Sequence, residues 1–211
     1  MTSQWFTLCR VFGADRKYEQ LFLNAQQDLK SEITQSQTLL GLMLQNTQLH
    51  LPNLVTFSHG AIDQNIWERG SNAELVEGEA VTVDLFALIR AFVGHMIFPS
   101  LLGSEFLDVY PGVFEDLYEF DKSLKYLLVG LPRWFPVQSL AKASIARHRL
   151  DNAIDSFHKA LDRAAVGEML GPPWRDMSDV SQVMRTRSAI WRKHNLPPAV
   201  RGPLDLQLLW M

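Results

Sequence analysis

The sequence predicts an all-α fold, and three features support that prediction. Apolar residues recur at intervals of three and four along most of the chain, which is the spacing of one helical face. No alternating strand pattern and no hairpin dipeptide interrupts these segments. Residues 82–103 form one long apolar segment that other helices are expected to surround. We therefore expect a single helical region over residues 1–211, with roughly seven to eight helices.

Three helices and a loop are predicted before this central segment. Residues 15–29 and residues 31–47 each carry an apolar face at helical spacing. Residues 52–69 are predicted as a third helix, because Pro52 suits a first helical turn. The polar segment 71–78 is predicted to be the loop that leads to the central helix.

The central helix is predicted over residues 82–103, with Thr82 as its N-cap. Apolar side chains occupy nearly its whole circumference, so we expect it to be buried on all sides. One face carries Leu85, Leu88, Ile89, Phe92 and Met96, and most of the rest is covered by Val83, Phe86, Val93 and Ile97. The run without charge, 91–104, is shorter than the roughly 20 apolar residues of a membrane span. No transmembrane helix is therefore predicted.

Four further helices are predicted after the central one. A helix opens at Tyr110 and continues to residue 128, where Gly130 and Pro132 form a stop signal. Residues 137–167 show only a narrow apolar stripe and a charged outer face, so this helix is predicted to lie on the surface. Residues 179–194 form the next helix. The last, 203–211, is only about two turns long and marginal by itself.

Composition restricts the functional classes that the chain can belong to. Its 211 residues suit one sizeable core, and 47% of them are apolar, which argues against disorder. The formal net charge is −3, so no basic field indicates nucleic-acid binding. One cysteine excludes an internal disulfide, and no signal peptide is recognised at the N-terminus.

No short motif identifies a catalytic site, and the isolated candidates have structural explanations. His95 on the central helix is predicted to be a hydrogen-bonded core histidine, whereas His148 and His158 are predicted to be solvated. Arg90 requires a carboxylate or carbonyl partner if it is buried. Cys9 is predicted to be a spectator thiol, with metal or haem ligation as the alternative. The basic residues 147–149 lie beside Asp151 and Asp155 and are predicted to form a salt-bridged helix face, with a phosphate site as the alternative.

Six stretches of the chain resemble the middle of a fungal cytochrome P450, in the branch of the steroid 7α-/12α-hydroxylases and prostacyclin synthase. They are LLGLMLQNTQLHLPNLV (39–55), VDLFALIRAFVGHMIFPSLLGSEFL (83–107), YEFDKSLKYLLVGLPRWFP (118–136), AKASIARHRLDNAIDSFHKAL (141–161), VSQVMRTRSAIWRKHNLP (180–197) and GPLDLQLLWM (202–211). In order, these stretches are similar to the family's helices C and D, then E, F, G and H, and the first turns of helix I.

The resemblance implies a haem-dependent monooxygenase that uses oxygen and a reductase and hydroxylates a bulky apolar molecule such as a terpenoid or steroid. The parent family resides at the endoplasmic reticulum membrane. In that family, helices F and G form the roof of the substrate pocket and helix I forms its floor. The residues that the resemblance implies as substrate contacts are Phe120, Leu124, Leu127, Leu206, Leu209 and Trp210.

Several diagnostic motifs of the family have no counterpart in the sequence. These are the haem-binding loop with its thiolate cysteine, the E-x-x-R pair, the acid-alcohol pair of helix I and the W-x-x-x-R of helix C. Cys9 lies far upstream of the position that the ligand occupies in the family. We therefore expect an internal fragment of a P450 that is inactive as this chain. The alternative is a stand-alone all-α interaction module without a cofactor.

Overall fold

The computed structural model describes residues 16–33, 37–76, 80–129, 131 and 138–210, and in these ranges the protein is predominantly helical. The α-helices of this part are α1 (Glu19–Ile33), α2 (Gln37–His50), α3 (Ile66–Arg69), α4 (Leu85–Leu102), α5 (Glu105–Val109), α6 (Val113–Val129), α7 (Gln138–Ala165), α8 (Gln182–Lys193) and α9 (Pro198–Trp210). Short 3₁₀ turns occupy Arg16–Tyr18 and Leu51–Asn53. The all-α prediction is confirmed at this level.

A short hairpin precedes α4 and was not expected from the sequence. Strand β1 (Glu74–Val76) pairs antiparallel with β2 (Ala80–Thr82), with Leu75 opposite Val81. The prediction of a loop over 71–78, and of no strand, was therefore wrong. Strands of three residues are too short to display the alternation by which a strand is recognised.

The predicted helix over 52–69 is largely absent, since only the turn Leu51–Asn53 and the four-residue α3 are helical. Side chains satisfy the backbone of this segment instead. The carboxylate of Glu68 accepts hydrogen bonds from the backbone N–H of Thr56 at 2.9 Å and of Asn65 at 2.8 Å. The amide of Gln64 donates to the carbonyls of Ser58 and Ala73, at 3.1 Å each. These tertiary bonds replace the helical ladder.

Helix α4 begins two residues later than predicted, and one of its sides is uncovered. Asp84 is the N-cap, because its side chain accepts from the backbone N–H of Ala87 at 3.0 Å, while Thr82 ends β2. The inner face of α4 is buried by Leu88, Phe92 and Met96. The side of α4 next to this face exposes Leu85 (66%), Phe86 (74%), Ile89 (42%) and Val93 (43%). The prediction of a helix enclosed on all sides was therefore wrong.

The length and composition of α4 would suffice for a membrane span, with a mean hydropathy of 1.8 over 18 residues. The sequence-based prediction that no segment qualifies is corrected in that respect. In the protein, 44% of this helix is buried. Partial burial of this kind is also found in core helices of globular proteins.

Helix α7 is the centre of the larger core, although its sequence predicted a surface helix. Helices α6 and α9 pack along it. Its buried residues include Leu140, Ala143, Ala146, Leu150, Ile154, Phe157, Ala160 and Leu161. The alanines widen the narrow stripe of large side chains and let neighbouring helices approach closely. A charged residue on the remaining face of α7 need not be exposed to solvent, because it can be buried together with a partner of opposite charge.

The described side chains form two hydrophobic clusters. The larger combines residues of α1 and α4–α9, with Phe106, Phe120, Phe157 and Trp191 each at most 1% exposed. The smaller consists of Trp67, Leu88, Ala91, Phe92 and Met96, and it joins α3 to the N-terminal half of α4. Helix α2 packs on α4, where the side-chain amide of Asn46 donates to the hydroxyl of Ser100 at 2.7 Å.

Candidate functional site

The polar residues of α7 that face α9 form the most distinctive group of side chains in the described part of the chain. Asp151, Asp155, His158 and Asp162 recur at intervals of three and four, which places them on one face of the helix. A Cβ atom at Gly202 would lie 3.3 Å from the carbonyl oxygen of Asp151. The absent side chain of this glycine therefore allows α9 to lie directly against α7. We call this group, together with its partners on α8 and α9, the polar seam.

The first part of the seam joins three helices through Asp205 of α9. The imidazole Nε2 of His158 on α7 contacts Asp205 Oδ2 at 2.5 Å. Arg187 of α8 donates from its Nε to Asp205 Oδ1 and from a terminal nitrogen to the carbonyl of Leu204 at 3.2 Å. His158 is fully buried and Asp205 is 1% exposed. One carboxylate therefore holds side chains that lie 18 and 47 residues away in the sequence.

The pKa of Asp205 reflects this pairing. Burial alone would raise the pKa of this carboxyl, because the charged form loses its hydration. The charges of Arg187 and His158 and their hydrogen bonds outweigh burial and hold the pKa at about 2. Asp205 is therefore ionised throughout the physiological range and can act as an acceptor for both partners.

The second part of the seam is centred on Asp162. Arg192 of α8 lies 2.9 Å from Asp162 Oδ1, and Arg201 of α9 lies 2.8 Å from Oδ2. The hydroxyl of Ser188 donates to Oδ1 at 3.0 Å. Arg201 is 3% exposed, and burial lowers its pKa against the opposing effect of Asp162. These contacts bind α7, α8 and α9 to one another a second time.

Asp151 is the member of the seam with the most strongly raised pKa. Burial raises the pKa of its carboxyl to about 7, and the nearby charge of Arg147 only partly opposes this shift. Its Oδ1 atom is buried and has no hydrogen-bond partner among the described residues. The His158 Nδ1 atom is likewise buried without a described partner. Buried polar atoms of this kind are uncommon in folded proteins.

The chemistry of the seam, as far as the structure describes it, is that of a structural junction. A histidine paired with a carboxylate can act as a general base when it also reaches a nucleophile or a substrate. His158 is fully buried, and among the described hydrogen bonds no histidine contacts a serine hydroxyl. The described residues also contain no group of three metal-ligating side chains. The contacts that the structure describes for the seam therefore connect helices.

The substrate-contact residues that the resemblance implies lie on α6 and α9. Phe120 and Leu124 on α6 and Leu206 on α9 are buried in the same hydrophobic cluster, at 0%, 8% and 0% exposure. The side chains of Leu127, Leu209 and Trp210 lie outside what the structure describes. The grooves between described residues are lined by other side chains, for example Asp28, Arg185 and Lys193 between α1 and α8. The assignment of these six residues to substrate contact stays a prediction.

The structure tests four of the isolated candidates. The prediction for His158 was wrong, because it is fully buried, whereas His148 is exposed as expected. His95 makes the expected hydrogen bond, from its Nδ1 to the carbonyl oxygen of Ala91 at 2.7 Å, and burial lowers its pKa. Arg149 lies 3.5 Å from Asp116 on α6, so the cluster has an ion pair, but its partner is on a neighbouring helix and is neither Asp151 nor Asp155.

Arg90 has a partner different from the one predicted. Its guanidinium lies 3.7 Å from the centroid of the Tyr118 ring and 5.4 Å from that of Phe86. The negative faces of these aromatic rings attract the cation in place of the expected carboxylate or carbonyl. Cys9 lies outside the described residues.

The polar seam was not predicted from the sequence, although the spacing of its α7 residues is visible there. Four polar residues at helical spacing beside an apolar stripe were interpreted as a solvated face. The local pattern of a solvated polar face and that of a buried, paired one are the same. The partners on α8 and α9 distinguish the two cases, and they lie far along the chain.

Comparisons with known proteins return no match: no protein-family model, no curated protein and no solved structure matches this chain. The resemblance to cytochromes P450 remains a prediction.

Proposed function

We propose that this chain is a helical part of a cytochrome P450 monooxygenase whose parent protein hydroxylates a bulky apolar substrate, and that the chain by itself is inactive. The observation that carries this proposal is the uncovered side of α4. Leu85, Phe86, Ile89 and Val93 are exposed on a helix that has a single charged residue, Arg90. A helix of this composition normally has neighbours on every side. A larger protein would supply the missing neighbours.

The order of the helices supports the proposal without being specific to it. Helices α4, α6, α7, α8 and α9 overlap the five segments that resemble helices E to I of the family. Phe120, Leu124 and Leu206 belong to one cluster, so α6 and α9 contribute apolar side chains to a common region. In the parent protein, this region would be adjacent to the substrate.

The described residues do not fit a haem group. A P450 holds its iron through a cysteine thiolate, and the single cysteine of the sequence, Cys9, precedes the described residues. His95 already uses its Nδ1 for the carbonyl of Ala91 and stacks on Phe114, with ring centroids 4.3 Å apart. No step of the oxygenase reaction is therefore assigned to residues of this chain.

Sequencing of the genomic DNA beyond the codon for Met211, followed by expression of the extended protein, tests the proposal. We expect a reading frame that continues into an E-x-x-R motif and a haem-binding cysteine loop. The reduced extended protein with carbon monoxide should then show the absorption band of a thiolate-bound haem. The 211-residue chain mixed with haem should show none. Downstream DNA without these motifs in any frame, or a thiolate band from the short chain, would contradict the proposal.

The second candidate function is a stand-alone interaction module, and the polar seam favours it. The ion pairs of the seam join α9 to α7 and α8, as a self-contained bundle would require. A module of this kind should be monodisperse and should unfold in one sharp cooperative transition. Calorimetry together with size-exclusion chromatography distinguishes it from a fragment, which should aggregate or bind a hydrophobic dye.

A further inference from the structure

A groove with a volume of about 500 Å³ lies between α1 and α8. Small-molecule sites in proteins have volumes of ~300–1,000 Å³, so the groove has room for a ligand. None of its lining residues belongs to the polar seam. Side chains from both helices line it, among them Asp28 of α1 and, on one face of α8, Gln182, Arg185, Thr186, Ile190 and Lys193.

Apolar and charged contacts hold the two walls of the groove together. The ring of Phe22 on α1 stacks on Trp191 of α8, with ring centroids 6.3 Å apart. Asp28 Oδ2 accepts a hydrogen bond from Lys193 Nζ at 2.7 Å, and His194 Nε2 lies 3.0 Å from the same oxygen. The hydrogen bond from Lys193, followed by that from His194, holds the pKa of Asp28 below its usual range. The groove is therefore formed before any ligand binds, and its carboxylate is already engaged.

Arg185 is a positioned cation in this groove and has no carboxylate partner in the described part of the chain. Its guanidinium donates from Nε to the carbonyl oxygen of Val180 at 3.0 Å and from one terminal nitrogen to those of Met177 and Ser178. The other terminal nitrogen makes no hydrogen bond to a described residue. Asp176 is close enough for the charge of Arg185 to lower its pKa slightly, but its carboxylate accepts from Ser178 and forms no ion pair with Arg185. Three carbonyl groups therefore fix the guanidinium while its charge stays available to an anion.

The hydrogen-bonding groups that remain in the groove are mainly donors. One is the second terminal nitrogen of Arg185, and another is the hydroxyl hydrogen of Thr186, which donates to no described residue while its oxygen accepts from Gln182 at 3.3 Å. Arg185 and Lys193 carry two positive charges against the single negative charge of Asp28. The first turn of α8, where Gln182 and Arg185 lie, adds the positive end of the helix dipole. Free donors and a positive charge together favour a ligand with negatively charged oxygens.

We propose that the groove between α1 and α8 binds a small organic anion, a carboxylate or a phosphate monoester, whose charged oxygens contact Arg185 and Thr186. Ile190, which is 7% exposed, offers an apolar contact to the carbon skeleton of the ligand. Lys193 lies eight residues after Arg185, roughly 12 Å along α8, and contributes a second positive charge at the other end of the groove. This inference concerns the 211-residue chain and does not rest on the proposed function.

Calorimetric titration of the purified chain with glutarate and with inorganic phosphate, in Tris buffer, tests the site. At least one of the two anions should bind saturably with one site per chain and a Kd of roughly 1 mM or below. Tighter binding of glutarate would assign the site to carboxylates, and tighter binding of phosphate would assign it to phosphate esters. Hydrogen–deuterium exchange should slow in peptides of α1 and α8, the two walls of the groove, and stay unchanged in α2 when the anion binds.

Variants of the two donors identify the groove as the binding site. Arg185→Gln should weaken binding at least about tenfold, because it removes a charge-assisted hydrogen bond. Thr186→Val should weaken it about two- to tenfold, since valine keeps the shape of the side chain and lacks the donor. Thr186→Val also leaves the contacts of Arg185 with residues 177–180 intact, so it tests the site even if Arg185→Gln alters that loop. Circular dichroism establishes that each variant retains its helices.

Lys122→Gln is the matched control, because it removes one positive charge from a side chain that is 64% exposed on α6, outside the groove. Its affinity for the anion should equal that of the wild type. No saturable binding of either anion up to about 10 mM would overturn the proposal. Binding that neither Arg185→Gln nor Thr186→Val weakens would also overturn it. So would an equal loss in Lys122→Gln, because the anion would then respond to surface charge in general.

Discussion

Asp205 of α9 is the described side chain whose carboxylate binds both α7 and α8. It is buried, ionised and shared between His158 and Arg187, so its loss would remove the acceptor of His158 Nε2 and of Arg187 Nε. Buried pairs of this kind add little relative to apolar residues of the same shape, but the removal of one partner is strongly destabilising. Substitutions in the seam should therefore destabilise the protein even if the net contribution of the seam to stability is small.

Asp205→Asn should lower the free energy of unfolding by about 3–5 kcal/mol, because Arg187 keeps its charge in a buried site and loses its counter-ion. Urea unfolding followed by circular dichroism measures the change. Glu119→Gln on α6 is the control outside the seam, since the side chains of Glu119 and its partner Lys122 are 34% and 64% exposed, and its loss should be much smaller than that of Asp205→Asn. Equal losses in the two variants would show that burial of the seam is not the cause.

Asp151 should make the stability of the protein depend on pH. Its pKa rises from 3.8 in the unfolded chain to about 7 in the folded protein, so the folded state retains a proton that the unfolded state releases. The contribution of the neutral carboxyl to stability is fully present below pH 3.8 and is lost as the pH rises through about 7.

Asp151→Asn should remove this dependence, because the amide resembles the neutral carboxyl and cannot ionise. Unfolding free energies of the two proteins should agree near about pH 4, and the variant should be more stable by on the order of 2–4 kcal/mol near about pH 8. Urea titrations at a series of pH values measure the difference. A constant difference between the two proteins at all pH values would contradict the assigned pKa.

At the scale of elements, the burial of α4 and of α7 is the reverse of what their sequences suggest. The more apolar helix, α4, has one uncovered side, and the more charged helix, α7, is the centre of the larger core. Gly94 contributes to the packing of α4, because a Cβ atom there would lie 2.6 Å from Cε1 of Phe114. Phe114 stacks on His95 and contacts Phe98, so it has little freedom to move.

Gly94→Ala should destabilise the protein by about 1–3 kcal/mol, since the added methyl group displaces the Phe114 ring. Gly41→Ala is a matched substitution on α2, where nothing lies within 4 Å of the added atom. It should stabilise the protein by up to about 1 kcal/mol, because alanine favours the helical backbone. Thermal unfolding of both variants should therefore show changes of opposite sign, and a stabilising Gly94→Ala would refute the close contact.

At the scale of the whole molecule, α2 contributes far fewer buried side chains than α7. None of residues 40–50 on α2 is buried, whereas α7 carries buried side chains from Leu140 to Leu161 and joins the seam. Segments with few buried apolar contacts open at a lower free energy than core helices.

Hydrogen–deuterium exchange should consequently protect α7 most and α2 least. Mass spectrometry of peptides from the two helices measures the exchange rates, and α2 should exchange at least about tenfold faster. Equal protection of α2 and α7 would show that α2 belongs to the same cooperative unit.

Local periodicity was enough to predict that the chain is helical and where its longer helices lie. The segments predicted over 137–167 and 179–194 correspond to α7 (Gln138–Ala165) and α8 (Gln182–Lys193). Their side chains repeat with the helical period over several turns, and this repetition is a property of neighbouring residues. The absence of a helix over most of 52–69 was not predictable in the same way, because Glu68 and Gln64 bond to backbone groups outside a helical register.

Which face of each helix is buried was decided by contacts between distant parts of the chain. The spacing of His158 and Asp162 on α7 is the same whether solvent or α9 faces them. The partner of His158 is Asp205, which lies 47 residues away in the sequence. The partners of Asp162 are Arg192 and Arg201, which lie 30 and 39 residues away. A charged helix face can be buried only when residues of opposite charge are buried with it. These residues lie far apart in the sequence, and only the tertiary structure brings them together.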